Sequence, residues 1–274
     1  MKKNKKLISF LITHYNRPLD LMECLEGIEK IQISDYEIVV SDDGSEVENI
    51  KLLQGYKINK LILSKTNQGL AANINKGIEA CEGKYIIYCQ EDFILNSDIC
   101  TILPECFALL NNQKADMIRF SASYSFKKLI GISENIFLIP KFSFRNFLLN
   151  ANQYSDHPFI TTKKFYDTFG YYLENTSGDY GETEYAIRIF NSKAKIAILA
   201  NKFVKQVEGS QSVMGRELDL NSVKLKLNKS LYKFARAFRL HFEFLFYNQA
   251  SRGLITYKNY RDKSKVNNTG SNED

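Results

Sequence analysis

Three consecutive polar residues, Gln90, Glu91 and Asp92, end the apolar run of the stretch KYIIYCQEDFIL, and their types suit cation binding. Adjacent acids repel each other unless a positive charge stands between them, and a divalent metal carrying a phosphorylated ligand supplies one. Tyr85 to Cys89 is apolar on both faces and too short for a helix, which predicts a buried central strand. In open α/β sheets ligands sit outside the carboxyl ends of the strands, so Glu91 and Asp92 would face a cleft there. On their own these residues read equally as a strand followed by an acidic turn, with Asp92 capping something local.

Two further stretches carry acids where chemistry could use them. Ser41-Asp42-Asp43-Gly44-Ser45 is a second acidic strand end, after the run Tyr36 to Val40. GDYGETEYAIRIF, residues 178–190, sets two glycines ahead of a helix whose first turn carries Glu182 and Glu184, a favourable place for negative charge in the field of the helix dipole. Glu184 and Arg188 stand four apart and are expected to pair on the surface. Glu182 has no such partner in the pattern, and the glycine-permitted turn beside it can hold it open to a cleft. Asp179, just before that helix, is the next acid in line for the same role.

The elements that must position these residues follow from periodicity. Leu7 to Thr13 predicts a first strand, and Pro18 opens a helix to about Lys30 with Leu21, Leu25 and Ile28 on one face. Strands follow at Tyr36 to Val40 and Leu61 to Ser64, then a helix from Asn67-Gln68-Gly69 through Ala80. After the organising strand, Ser97 is expected to cap a helix to about Leu110, and Met117 to Phe120 reads as a fifth strand. This alternation predicts an α/β fold with a mostly parallel sheet covered on both faces. No G-x-G-x-x-G follows the first strand and no G-x-x-x-x-G-K-[ST] occurs, so neither a dinucleotide-binding Rossmann domain nor a P-loop is indicated.

From Ser121 to Thr168 aromatic residues are dense and periods few. They read as core and loop packing, with stacking on sugar rings as the functional alternative. Ile160-Thr161 after His157-Pro158-Phe159 suggests a strand, with His157 a hydrogen-bonded structural residue. Lys195 to Leu199 reads as a short strand and Val207 to Ser212 as a polar loop.

The chain has 274 residues, enough for a sizeable core, and its formal net charge of +6 is modest for that length, so no nucleic-acid partner is indicated. Its five cysteines show no CxxC spacing and read as reduced core residues of a cytoplasmic protein. The basic lead into Leu7 to Ile12 reads as the approach to a strand, without a small-residue cleavage site.

Taken in order, these signals resemble the family 2 glycosyltransferases, which have the GT-A fold, a Rossmann-like, mostly parallel central sheet flanked by helices. The resemblance rests on Thr13 with Tyr15-Asn16-Arg17, on Asp42-Asp43-Gly44-Ser45, on Asn67 and Gly69, on Asn75 and Gly77, and on Gln90-Glu91-Asp92. GETEYAIR resembles the family's acceptor-side helix, in which one acid is followed two positions on by another and then by arginine. The resemblance covers roughly residues 7–130 closely and 155–215 in part. It implies a GT-A domain over residues 1–215, with a nucleotide-binding half over 1–120 and an acceptor half over 121–215. Residues 216–260 would form a basic amphipathic helical extension and 261–274 a disordered tail.

The function the resemblance implies is inverting transfer of a sugar from a nucleotide-diphosphate donor to a glycan or lipid-linked acceptor, in surface polysaccharide synthesis. Thr13, Tyr15, Asn16, Arg17, Asp42, Asp43, Asn67, Gly69, Asn75, Gln90 and Glu91 would bind the donor nucleotide. Asp92 would ligate Mg²⁺ or Mn²⁺, and Glu182, in the position of the family's catalytic aspartate, would be the general base. Three positions depart from the family: Gln90 replaces the first aspartate of its D-x-D, Ile74 an arginine, and near Val207 only Glu208 suits a metal where the family has histidine. A catalytically silent GT-A domain that binds nucleotide sugar or glycan is the alternative.

The last stretch adds an expectation about location. Leu227, Leu231, Phe234, Phe238, Phe242 and Leu245 fall on one helical face, with Lys226, Lys229, Lys233 and Arg236 on the other. Such a helix lies on an anionic membrane surface, making the enzyme peripheral at its cytoplasmic face, or packs its stripe on the catalytic domain, or does both in part.

Overall fold

A computed structural model describes residues 6–122, 124–175, 178–209 and 229–246. The expected tail over 261–274 and most of the polar loop after Val207 lie outside the described residues, as does the side chain of Asp179.

Strand β1 (Ile8–His14) is buried along its whole length because it runs between two parallel neighbours, β2 (Tyr36–Asp42) and β4 (Tyr85–Gln90). A strand covered by helices on both faces needs apolar side chains pointing both ways, which is why it reads as a continuous run. Phe10 and Ile12 point to one core, with Leu21, Leu25 and Ile28 of α1 (Pro18–Glu29) and Leu103 and Cys106 of α4 (Ile99–Asn111). Leu11 points to the other, with Ile74 and Ile78 of α3 (Leu70–Ala80), so Ile74 is a fully buried core residue. The edge strand β3 (Lys60–Leu63) follows α2 (Val47–Leu53) and pairs with β2. All five cysteines are free.

Beyond β4 the sheet departs from the mostly parallel expectation. It has nine strands in the order β3-β2-β1-β4-β9-β6-β10-β8-β7. Here β6 is Met117–Arg119, β7 Ile130–Gly131, β8 Ile136–Leu138, β9 Phe159–Thr161 and β10 Ile196–Leu199. β9 runs antiparallel between β4 and β6, β8 runs antiparallel to β10 and to β7, and only β6 and β10 are parallel in this half. The sheet is therefore mixed. Strands of two or three residues carry no readable period, which is why β7 and β8, and the seven-residue helix α5 (Lys163–Phe169), escape the sequence pattern.

Two corrections concern helix starts. α4 has Asp98, not Ser97, at its amino-terminal boundary, and no side chain caps it. α6 spans Gly178–Asn191, so Glu182 stands in its second turn rather than its first. A two-stranded ribbon, β5 (Phe93–Leu95) with β11 (Val204–Gln206), continues directly from the acidic end of β4. The last described helix, α7 (Lys229–Leu245), rests on α6 and on the 3₁₀ turn Asn150–Asn152. Ala237 and Leu240 make its buried side, while Phe234, Phe238, Phe242 and Leu245 are exposed. Of the expected stripe, Phe238, Phe242 and Leu245 thus face away from the domain, whereas Phe234 is half exposed against Phe147, and Leu227 lies outside the described residues.

Candidate active site

The carboxyl ends of β2, β1 and β4 lie side by side, which brings His14 opposite Asp42 and Thr13 opposite Gln90. The turns beyond these ends are built by side chains bonding to backbone. The Arg17 N–H donates to His14 Nε2 at 3.1 Å, so the ring proton sits on Nδ1 and is donated to Asp42 Oδ2 at 2.7 Å. Asp42 Oδ1 accepts from the N–H groups of Gly44 and Ser45 at 3.1 and 2.9 Å, and Oδ2 also accepts from the Ser45 hydroxyl at 2.5 Å. Burial pushes the Asp42 carboxyl up, but the bonds from His14 and Ser45 hold it below the usual carboxylate range. Asp42 is fully buried, and both of its oxygens are used in holding the turn.

Asp43 does the same for the next loop. Its oxygens accept from the N–H groups of Gln68 and Gly69 at 2.9 and 2.8 Å, and burial raises its pKa despite them. Gly44 stands at φ +79°, where a Cβ would come within 2.5 Å of the Thr66 carbonyl carbon, so only glycine lets these two turns meet. Asn67 accepts from the Gly69 N–H at 3.0 Å. Asn16 adopts φ +54° and ties β1 to the second loop, accepting from the Glu46 N–H at 2.8 Å while its own N–H donates to Ser45 Oγ at 2.8 Å. Tyr15 is half-buried, and Thr13 is buried with its hydroxyl 3.3 Å from that of Tyr88.

At the end of β4, Glu91 and Asp92 are both buried, and burial raises the Glu91 carboxyl to about 8. Asp92 Oδ2 accepts from Gln206 Nε2 at 2.9 Å and lies 3.8 Å from the Arg17 guanidinium. Asp92 Oδ1 is buried with no hydrogen-bond partner among the described residues. An anionic oxygen without a donor is a place for a cation. Among the described residues no group of three His, Cys, Asp or Glu stands together, and Mg²⁺ commonly takes phosphate and water oxygens beside one or two carboxylates. The donor set fits a hard cation on that condition. Gln90 is half-buried beside it, and Glu208 follows Val207, whose N–H donates to the Asp92 carbonyl at 2.8 Å.

Asn75 is elsewhere. Its amide donates to the Tyr172 carbonyl at 3.0 Å and to Glu174 Oε1 at 2.8 Å, and accepts from the Tyr172 N–H at 3.0 Å. It thus anchors the segment before α6 to α3, and its amide is fully used there.

Glu182 lines a cavity of about 180 Å³ with Tyr154, Ser155, His157 and Arg239. The Asp156 N–H donates to Glu182 Oε1 at 3.2 Å. Asp156 itself accepts from the Tyr154 hydroxyl, which also meets the Tyr172 hydroxyl. Burial, then the charge of Glu182, pushes the Asp156 carboxyl up to about 8, and burial pushes His157 down to about 4. The loop is held by Arg119, fully buried, which donates to the carbonyls of Asn152 and Gln153 at 2.9 and 3.0 Å and to Ser155 Oγ at 2.8 Å. The His157 ring lies 5.4 Å from that of Phe93, next to Asp92, so the Glu182 cavity adjoins the acidic end of β4. His14, Arg119, Tyr154, Asp156 and Gln206 were not candidates from sequence. Of these only Asp156, an acid beside His157-Pro158, left a local trace.

Glu184 and Arg188 do pair, with Nε donating to Oε1 at 3.1 Å, but Glu184 is fully buried and the expected surface pair is an interior one. Arg188 also donates to the Tyr171 carbonyl at 2.5 Å.

Several solved structures share this architecture. S. aureus TarS 1-349 in complex with UDP-GlcNAc aligns with a TM-score of 0.62 at 16% identity, over 93% of this chain and 72% of that one. TarS 1-349 aligns at 0.57 and 17%, over 98% and 75%. The UDP complex aligns at 0.57 and 17%, over 72% of this chain and 59% of that one. At these identities the likeness is one of fold. No sequence match is found among curated proteins. A family pattern, described as glycosyl transferase family 2, matches residues 9–164, from β1 through the acidic ends of β2 and β4 to the loop of Asp156. That match takes in more than half of the chain and the turns of Asp42, Asp43 and Asp92, and the chain belongs to glycosyl transferase family 2.

Proposed function

We propose that this protein is an inverting glycosyltransferase that moves a sugar from a nucleotide-diphosphate donor to a hydroxyl of a glycan or lipid-linked acceptor, in the synthesis of a surface polysaccharide at the cytoplasmic side. The observation that carries this reading is the Glu182 carboxylate in a cavity that adjoins, through His157 and Phe93, the strand end bearing Asp92.

In this reading the donor lies across the strand ends, its nucleoside against the turns of Tyr15 to Arg17 and Asn67 to Gly69, which Asp42 and Asp43 hold in place. Arg17 orients the diphosphate. Asp92 would hold Mg²⁺ or Mn²⁺, with Gln90, Glu91 and Glu208 near it, and the ion would offset charge on the departing diphosphate. Glu182 takes the proton of the acceptor hydroxyl as its oxygen bonds to the anomeric carbon. The bond from that carbon to the phosphate oxygen breaks on the opposite face, the electron pair leaves with the nucleoside diphosphate, and the configuration inverts. Asp156, its carboxyl raised to about 8, stays protonated at neutral pH and donates its backbone N–H to Glu182.

The likeness to a protein solved with UDP-GlcNAc and UDP makes UDP-sugars the first donors to test. Nucleotide sugars are screened for Mn²⁺-dependent release of nucleoside diphosphate. Release from at least one donor is expected, whereas a silent binding domain releases none.

A further inference from the structure

Helix α7 buries little of what it could. Its seat on the domain is made by Ala237, Leu240 and His241. Leu240 joins Ala151 and Ile187, and His241 stacks on Phe147 with 4.5 Å between ring centroids. The ridge opposite stays in solvent: Phe238 is 62%, Phe242 56% and Leu245 80% exposed. These residues recur at helical spacing, so their exposure is a property of one face and not scattered surface hydrophobicity.

A second segment extends that ridge. Phe144, 86% exposed, packs edge-on against Phe142, whose ring in turn meets His241 of α7 at 5.9 Å. Phe147 meets Phe234 at 5.5 Å, so the turn and the helix form one continuous apolar surface. Its margin is basic. Arg145 is exposed beside Phe144, and Lys127 and Lys128 are exposed beside the same turn, where the Lys128 N–H donates to Asn146 Oδ1 at 2.9 Å. Arg239 is exposed beside Phe238. Arg239 and Leu240 also line the Glu182 cavity, so this surface borders that opening.

The geometry points to a docking surface for an anionic lipid bilayer, formed by the exposed face of α7 and the Phe142–Arg145 turn, that holds the Glu182 cavity at the level of the lipid headgroups. A protruding aromatic ridge with lysine and arginine at its margin is the composition of a helix lying in a membrane interface. Aromatic side chains enter the acyl boundary while the cations meet anionic headgroups, a match of charge that a neutral bilayer does not offer. No helix among the described residues is long and apolar enough to cross a membrane, so the contact is with one leaflet. Delivery of a lipid-linked acceptor to Glu182 rests on the proposed function. The docking itself does not.

The test is co-sedimentation of the full chain with vesicles of phosphatidylcholine and phosphatidylglycerol, and of phosphatidylcholine alone. The wild type is expected to pellet with the anionic vesicles, and less so with neutral vesicles or at high salt. The double variant Phe238→Asp/Phe242→Asp should partition roughly 100-fold more weakly, since each buried phenylalanine is worth about tenfold or more. Its circular dichroism and its donor hydrolysis in solution should match the wild type, which separates loss of docking from loss of folding or of activity. Failure of the wild type to bind either vesicle overturns the proposal, as does unchanged binding by the double variant. A wild-type dimer in solution that the same substitutions dissolve, with no vesicle binding, would assign the surface to a second copy instead. If docking holds and no donor is hydrolysed, only the proposed transferase reading falls.

Discussion

The backbone N–H of Asp156 donates to Oε1 of Glu182 at 3.2 Å, across the join between the loop before β9 and α6. Two acids therefore share one corner, in which Asp156 is buried and Glu182 is half-buried. Asp156 is pushed up to about 8, by burial first and by Glu182 second. Asp156 is thereby held protonated at neutral pH, and the proposed mechanism needs Glu182 to be the base.

Glu182→Gln keeps the shape and most hydrogen bonding of the side chain while removing its basicity. Transfer should fall by about 10²–10⁴-fold with donor affinity unchanged. Glu182→Asp should keep partial activity. Initial rates with a saturating donor measure both, and a wild-type rate in the glutamine variant would move the base to another residue.

The pair also sets a pH dependence. An unfolded Asp loses its proton near ~3.9, whereas folded Asp156 keeps it to about 8. Its contribution to stability is therefore fully present below about 4 and is lost as pH rises through 8. Glu91, also raised to about 8, acts in the same direction. Asp156→Asn should flatten the fall of Tm across this window. It should also remove a decline of kcat above about pH 8, where ionised Asp156 repels Glu182. Thermal melts and rate profiles at the same pH values test the two effects, and parallel curves for variant and wild type would count against the pair.

Glu184→Gln is a stability variant and not a neutral control. Glu184 is fully buried and Arg188 binds it with two nitrogens, so the substitution leaves a guanidinium in the interior without its counter-charge. A loss of about 3 kcal/mol is expected. Urea denaturation measures it, and a change under ~1 kcal/mol would mean that the carbonyls of Tyr171 and Phe169 suffice for Arg188.

Asp92→Ala should abolish the gain in nucleoside diphosphate affinity that Mn²⁺ provides, and leave the fold intact. The buried Oδ1 without a donor is the reason. Titration calorimetry with and without Mn²⁺ decides it, and equal affinities in variant and wild type would remove Asp92 from the metal.

Gly44→Ala should destabilise the donor-side turns, because a Cβ at φ +79° would come within 2.5 Å of Thr66 backbone. Strain of this kind costs of order 1–3 kcal/mol. Tm and nucleotide affinity should fall together. An unchanged Tm would show that the turns can part without cost.

By itself the sequence determined the first half of the protein. Parallel strands buried on both faces are mostly apolar and stop where the chain meets the cleft, so β1, β2 and β4 and the acids that end β2 and follow β4 are visible as local pattern. Tertiary structure decided the rest, because nothing local encodes it. The antiparallel insertion of β9 between β4 and β6 joins strands that are far apart in the chain, two of them only three residues long. Whether an acid in a readable position meets ligand or protein depends on what packs against it. That is why Asp42 and Asn75 hold loops, why Glu184 is interior, and why Gln206 reaches Asp92 from 114 residues away. The stripe of α7 was equally legible, but apolar residues at helical spacing specify a face and not its neighbour. Only the seating of Ala237, Leu240 and His241 turned the phenylalanines outward.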